Sequence, residues 1–144
     1  MNFGNGLDVG YRWYQANGVT PLFPFGFGLD YTTFSLSSPM LQKSAAGIVI
    51  HVTVTNTGSR SGADVVQAYV RYPSSTGEPP EQLRAFTRVV LAPAESRAVT
   101  LAIPPSGFRV FVNGSFKTIP GHYGIDVGQS SADLSIHLVA GITG

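Results

Sequence analysis

GIVIHVTVTNTG, residues 47–58, alternates without a break: Ile48, Ile50, Val52 and Val54 fall on one face, and Val49, His51, Thr53 and Thr55 on the other. A period of two over eight positions, rich in β-branched residues and closed by the turn signal Asn56-Thr57-Gly58, predicts a half-buried β-strand. The same reading extends outward in both directions.

Downstream, DVVQAYVRY (64–72) follows a small-residue connection and is expected to be the hairpin partner of 47–55, with Val66, Ala68 and Val70 inward and Val65 and Tyr69 on a face that is only half polar. QLRAFTRVVL (82–91) is stopped by Ala92-Pro93, and 96–103 alternates through Val99, Leu101 and Ile103 up to Pro104-Pro105. Residues 108–112 and 115–119 flank Asn113-Gly114, the dipeptide of a two-residue hairpin. Tyr123, Ile125 and Val127 form the next run, and Leu134, Ile136 and Leu138 the last. Seven or eight short strands separated by turn chemistry, with no sustained helical period, describe an all-β antiparallel sandwich over residues 34–144.

Upstream, residues 1–33 read as an extended, aromatic-rich arm. In PLFPFGFGLDYTTF (21–34), Pro21 and Pro24 withhold ladder donors while Gly26 and Gly28 permit unusual backbone angles, so Phe23, Phe25 and Phe27 are carried by an irregular segment. In VGYRWYQANGV (9–19), a strand-like run would place Tyr11 and Trp13 on one face and ends at Asn17-Gly18. The residues leave two readings of Tyr11, Trp13, Tyr14, Phe23, Phe25 and Phe27 open. They dock on a sheet or a neighbouring domain, or their flat faces stack on sugar rings or an aromatic polymer such as lignin. With its neighbour absent, such an arm is also expected to pair with a second copy.

Composition narrows the function classes. At 144 residues the chain can bury roughly two thirds of its unfolded surface without staples. It has no cysteine, so thiolate chemistry is excluded, and a net charge of +1 with scattered Lys and Arg gives no field to steer nucleic acid. No apolar stretch approaches the roughly 20 residues a membrane helix needs. The start, MNFGNGLDVGYRW, has neither a basic region nor an apolar core and is read as lacking a signal peptide, which leaves the compartment open.

No catalytic constellation emerges. Asp8, Asp30, Asp64, Glu78, Glu81, Glu95, Asp126 and Asp133 fall mostly in turns or at strand ends, where solvated carboxylates are expected. His51, His122 and His137 are far apart, so no metal site is expected. There is no GxSxG elbow, and GFGLD lacks the strand and helix of a nucleotide-binding loop, so no cofactor is expected.

GLDVGYRWYQANGVTPLFPFGFGLDYTTF closely resembles the segment leading into the C-terminal domain of glycoside hydrolase family 3 enzymes of the β-glucosidase and β-xylosidase type. VTVTNTGSRSGADVVQAYVRYP, PPEQLRAFTRVVLAPAESRAVTLAI and PGHYGIDVGQSSADL follow in the order of that family's fibronectin type III-like domain. The resemblance implies an immunoglobulin-like sandwich without catalytic residues, because in such enzymes the nucleophilic aspartate and the acid/base glutamate lie in preceding domains. It further implies an accessory, stabilising or substrate-positioning role beside those catalytic domains in carbohydrate metabolism. One departure is GFRVFVNGSFKTIPGHY, which has Phe108, Phe111 and Phe116 available for the core where the family often has a tryptophan-containing stretch.

Overall fold

In a computed structural model describing residues 6–28 and 30–143, two antiparallel sheets pack face to face. The ends assigned to the arm (1–5) and to the sandwich (144), and Leu29 of GFGLD, lie outside the described residues. The strands are β1 (Phe34–Ser44), β2 (Gly47–Asn56), β3 (Gly62–Arg71), β4 (Gln82–Leu91), β5 (Ser96–Ile103), β6 (Arg109–Val112), β7 (Ser115–Thr118), β8 (Gly121–Gly128) and β9 (Ile136–Ile142). One sheet has the order β1-β2-β5 and the other β4-β3-β8-β9, while β6 and β7 form a separate hairpin.

The alternation read from β2 holds, with Ile48, Ile50, Val52 and Val54 all fully buried. They face Val66, Ala68 and Val70 of β3 and Ile125 and Val127 of β8 across one continuous core. Its wide end is closed by aromatics: Tyr123 meets Tyr72 and Phe108 edge to face at 5.6 and 5.5 Å. Their hydroxyls are satisfied, because Tyr72 donates to the Gly107 carbonyl at 2.6 Å and Tyr123 to that of Ile119 at 2.7 Å.

The expected β2–β3 hairpin does not form. β2 pairs with β1 and β5, and β3 with β4 and β8, so residues 57–61 carry the chain from one sheet to the other. Two strands with apolar alternating faces can lie side by side or face to face, and alternation has the same form in both arrangements. Asn56 governs the crossing. Completely buried, its amide donates to the carbonyls of Arg60 (2.8 Å) and Leu91 (3.1 Å), and its Oδ1 accepts from the Gly58 N–H (3.0 Å) and the Thr32 hydroxyl (2.7 Å).

β1 went unread in the sequence because FSLSSPMLQKS breaks its own period at Pro39. The structure resolves the break as a bulge: the register slips between Ser37 and Met40, and Ser38 takes φ 51°. Phe34 and Leu36 before it and Leu41 after it then all turn toward the core, as an edge strand permits. The Asn113-Gly114 hairpin forms as read, with both residues at positive φ. Of its three phenylalanines only Phe108 is in the core. Phe111 and Phe116 are directly opposed across the hairpin and point to solvent, their rings 5.2 Å apart, because the hairpin turns Val110 into the core and they lie on its other face.

Asn56→Ala removes all four side-chain bonds while leaving buried backbone carbonyls without donors. Unfolding in urea is expected to show a loss of about 3 kcal/mol with little change in slope; an unchanged midpoint would remove Asn56 from this role.

Candidate docking surface

The outer face of β3 should be wet, yet Gln67 and Tyr69 on it are buried. What covers them is the N-terminal arm. Residues Tyr11–Ala16 form one short α-helix, α1, in place of the extended run expected from VGYRWYQANGV. Asn17-Gly18 is its C-terminal cap: the Gly18 and Val19 amides return to the carbonyls of Gln15 and Tyr14 at 3.2 and 2.9 Å, and Gly18 has φ 62°. Six residues are too few to display a period, and such a helix persists only through what it packs on.

α1 separates side chains that a strand would have aligned. Tyr11 points to the sheet, where it stacks on Phe25 at 4.9 Å, meets the Tyr69 ring edge-on at 5.9 Å, and accepts the Leu83 N–H at 2.9 Å. Gln15, one turn on, donates to the Glu81 carboxylate at 2.7 Å. Trp13 and Tyr14 are about two-fifths exposed and lie at 90° to one another, so Tyr11, Trp13 and Tyr14 do not form a flat row.

After α1 the arm runs along the sheet to its end. The Gln67 amide donates to the carbonyls of Gln129 (2.8 Å) and Gly26 (3.4 Å), while its Oε1 accepts the Tyr69 hydroxyl at 2.6 Å. Gly26, at φ 80°, lies so close above this amide that a methyl group there would overlap it. The Phe25 carbonyl accepts the Ser131 N–H at 2.8 Å, which fixes the arm to the β8–β9 loop. The side of the arm away from the sheet is left apolar: Leu22 is 89% exposed, Phe23 67% and Phe27 50%, with Phe23 and Phe27 tilted together at 5.9 Å. Phe25 has one side on Tyr11 and the other in solvent. The arm is thus a double-sided layer.

Two acids expected to be solvated are buried. Asp126 of β8 sits between Arg71 Nε and His137 Nδ1, each at 2.5 Å. Asp64 of β3 has no basic neighbour of that kind, and burial pushes its carboxyl up to about 6, with Asp30 and Asp133 adding to the shift and the Val65 N–H opposing it. Burial also raises Glu81 beside the arm, with the Asp126 charge adding to it. The remaining histidines are apart: His51 bonds Thr100 at 3.1 Å, and His122 is exposed on β8. Among the described residues no three His, Cys, Asp or Glu side chains are grouped to hold a metal.

These features define a fibronectin type III-like sandwich with a built-on arm, and the model of the fibronectin type III-like domain matches residues 64–131. The chain is 40% identical to a β-glucosidase of Rhizobium radiobacter over 96% of its own length but 18% of that protein's. Among solved structures, a Streptomyces venezuelae β-glucosidase in complex with D-glucose matches with TM-score 0.89 at 34% identity, covering 96% of this chain and 18% of that one. A Bifidobacterium adolescentis GH3 β-glucosidase matches with TM-score 0.91 at 31% identity, covering 96% of this chain and 21% of that one. The chain belongs with the fibronectin type III-like domains of glycoside hydrolase family 3 β-glucosidases, and it spans about a fifth of the length of the relatives it matches.

Tyr11→Ala should release α1 from the sheet at a cost of about 2 kcal/mol, read as lower stability and as readier collisional quenching of Trp13. Unchanged quenching would mean that α1 is held by something else. The Asp64 carboxyl binds its proton more tightly in the folded chain than in the unfolded one, so stability should fall as pH rises from about 4 through about 6 and then level off, by on the order of 2 kcal/mol. Glu81 slopes in the same direction, so the diagnostic quantity is the difference from Asp64→Asn: the variant should lose part of the slope and be the more stable protein at neutral pH.

Proposed function

We propose that this chain is the non-catalytic accessory domain of a family 3 β-glucosidase-type hydrolase, with the arm of residues 1–33 as the layer that joins the 34–144 sandwich to the catalytic domains. The observation that carries this is the two-sided arm: Tyr11, Gln15 and Gly26 seat it on the sheet while Leu22, Phe23 and Phe27 remain uncovered on the other side. Apolar side chains this exposed and this close together mark a surface with a partner. The relatives' extra length supplies one, since some four-fifths of each lies outside the matched region. The role is stabilisation and orientation of the catalytic part, and the domain itself performs no hydrolysis.

The test is a graft of this chain in place of the matching segment of the Rhizobium radiobacter enzyme. Changing Leu22, Phe23 and Phe27 together to serine should lower the temperature of half-inactivation by about 5 °C while leaving the ungrafted chain's own unfolding almost unchanged. An equal effect on both would remove the docking role. The ungrafted chain should not hydrolyse aryl glucosides or xylosides, and turnover abolished by altering one of its carboxylates would overturn the non-catalytic assignment. Trp13 fluorescence that shifts blue on titration with one soluble glucan or xylan would instead favour a carbohydrate-binding module, and a dimer in light scattering would favour self-association through the arm.

A further inference from the structure

Where the arm passes the end of β3, a cavity of about 250 Å³ opens between Gly26–Gly28, Asp30, the start of β3 and the β8–β9 loop. Three carboxylates line it: Asp30 from the arm, Asp64 from β3 and Asp133 from the loop. No Lys, Arg or His is among its lining residues. Asp64 is only 4% exposed, and its Oδ2 is buried with no hydrogen-bond partner among the described residues. Asp126, the other buried acid, shows what is missing, because it is held by Arg71 and His137. A carboxylate taken out of water normally has a counter-charge and a donor at each oxygen; Asp64 has the Val65 N–H beside it, but no counter-charge and nothing at Oδ2.

From this geometry we propose that the cavity receives one guanidinium group, an arginine side chain of the catalytic part, as the polar anchor beside the apolar contact of Phe23 and Phe27. The inference rests on the docking role proposed above and specifies its chemistry. Charge complementarity carries the choice of occupant: carboxylates converging from three elements match the several N–H donors of a planar guanidinium, which bonds carboxylates in pairs. Continuity supports it, since Phe27 belongs both to the cavity wall and to the apolar outer side of the arm. The metal alternative has less support, because the three acids are not grouped closely enough to share an ion.

The experiment titrates the 144-residue chain with N-acetyl-arginine methylamide at low salt and neutral pH, following backbone amide resonances by NMR. Saturable shifts are expected at Gly28, Val65, Ser130 and Asp133, weakened roughly tenfold or more in Asp64→Asn and also weakened in Asp30→Asn. Asp30 is exposed, so its variant reports even where a change at Asp64 disturbs folding. Absence of shifts, equal shifts in the variants, or saturation by calcium chloride at lower concentration than by the arginine derivative would each overturn the proposal. If the serine graft shows docking and this titration fails, only the anchor falls. Saturation here together with a graft that shows no docking would overturn the assignment of the occupant.

Discussion

From Val66 to Val70, β3 is buried on both of its faces, and that constraint organises the molecule. Its inward side chains Val66, Ala68 and Val70 complete the sandwich core, which is the ordinary solution for an antiparallel sheet. Its outward side chains Gln67 and Tyr69 are just as dry, and each carries polar atoms that must be paired. Tyr69 donates to Gln67, Gln67 donates to the Gln129 carbonyl and to that of Gly26 in the arm, and the Tyr11 ring covers Tyr69, so the arm is part of the folded domain rather than an appendage.

The arm's two sides follow from that. A six-residue helix without a side-chain N-cap has little stability of its own, and it is held by Tyr11 on Leu83 and Tyr69 and by Gln15 on Glu81. Once those side chains are committed inward, the prolines and glycines of the next stretch leave Leu22, Phe23 and Phe27 on the far side. A rigid apolar layer presented in this way has already lost part of the entropy that ordering at an interface would otherwise cost. Asn56 complements it at the other end, tying Thr32 of the arm to the turn that joins the two sheets.

Fold class was legible because the core strands obey a period of two and their turns are marked. Ile48 to Val54, Val99 to Ile103, and the Asn113-Gly114 hairpin all stand where the pattern placed them. Pairing was not legible: β2 and β3 have the same alternating form whether they are neighbours in one sheet or opposed across the core. The single outward aromatic of QAY was a signal that something covers that face, and its meaning depended on a partner about sixty residues away. The buried acids escaped for the same reason. Asp64 stands between Ala63 and Val65 and Asp126 between Ile125 and Val127, but which face of a strand is covered depends on the return of the arm, Arg71 and His137.

By itself, then, the chain's order of residues determined an all-β sandwich, its inward faces, its turns, and an aromatic-rich segment set apart at one end, since each depends on neighbours within about ten positions. The tertiary structure alone decided the strand partners, the helical form of residues 11–16, which aromatics face in and which face out, and the unpartnered carboxylate oxygen of Asp64 beside the arm. Those outcomes depend on burial against distant segments, and burial is a property of the packed chain that no local pattern encodes.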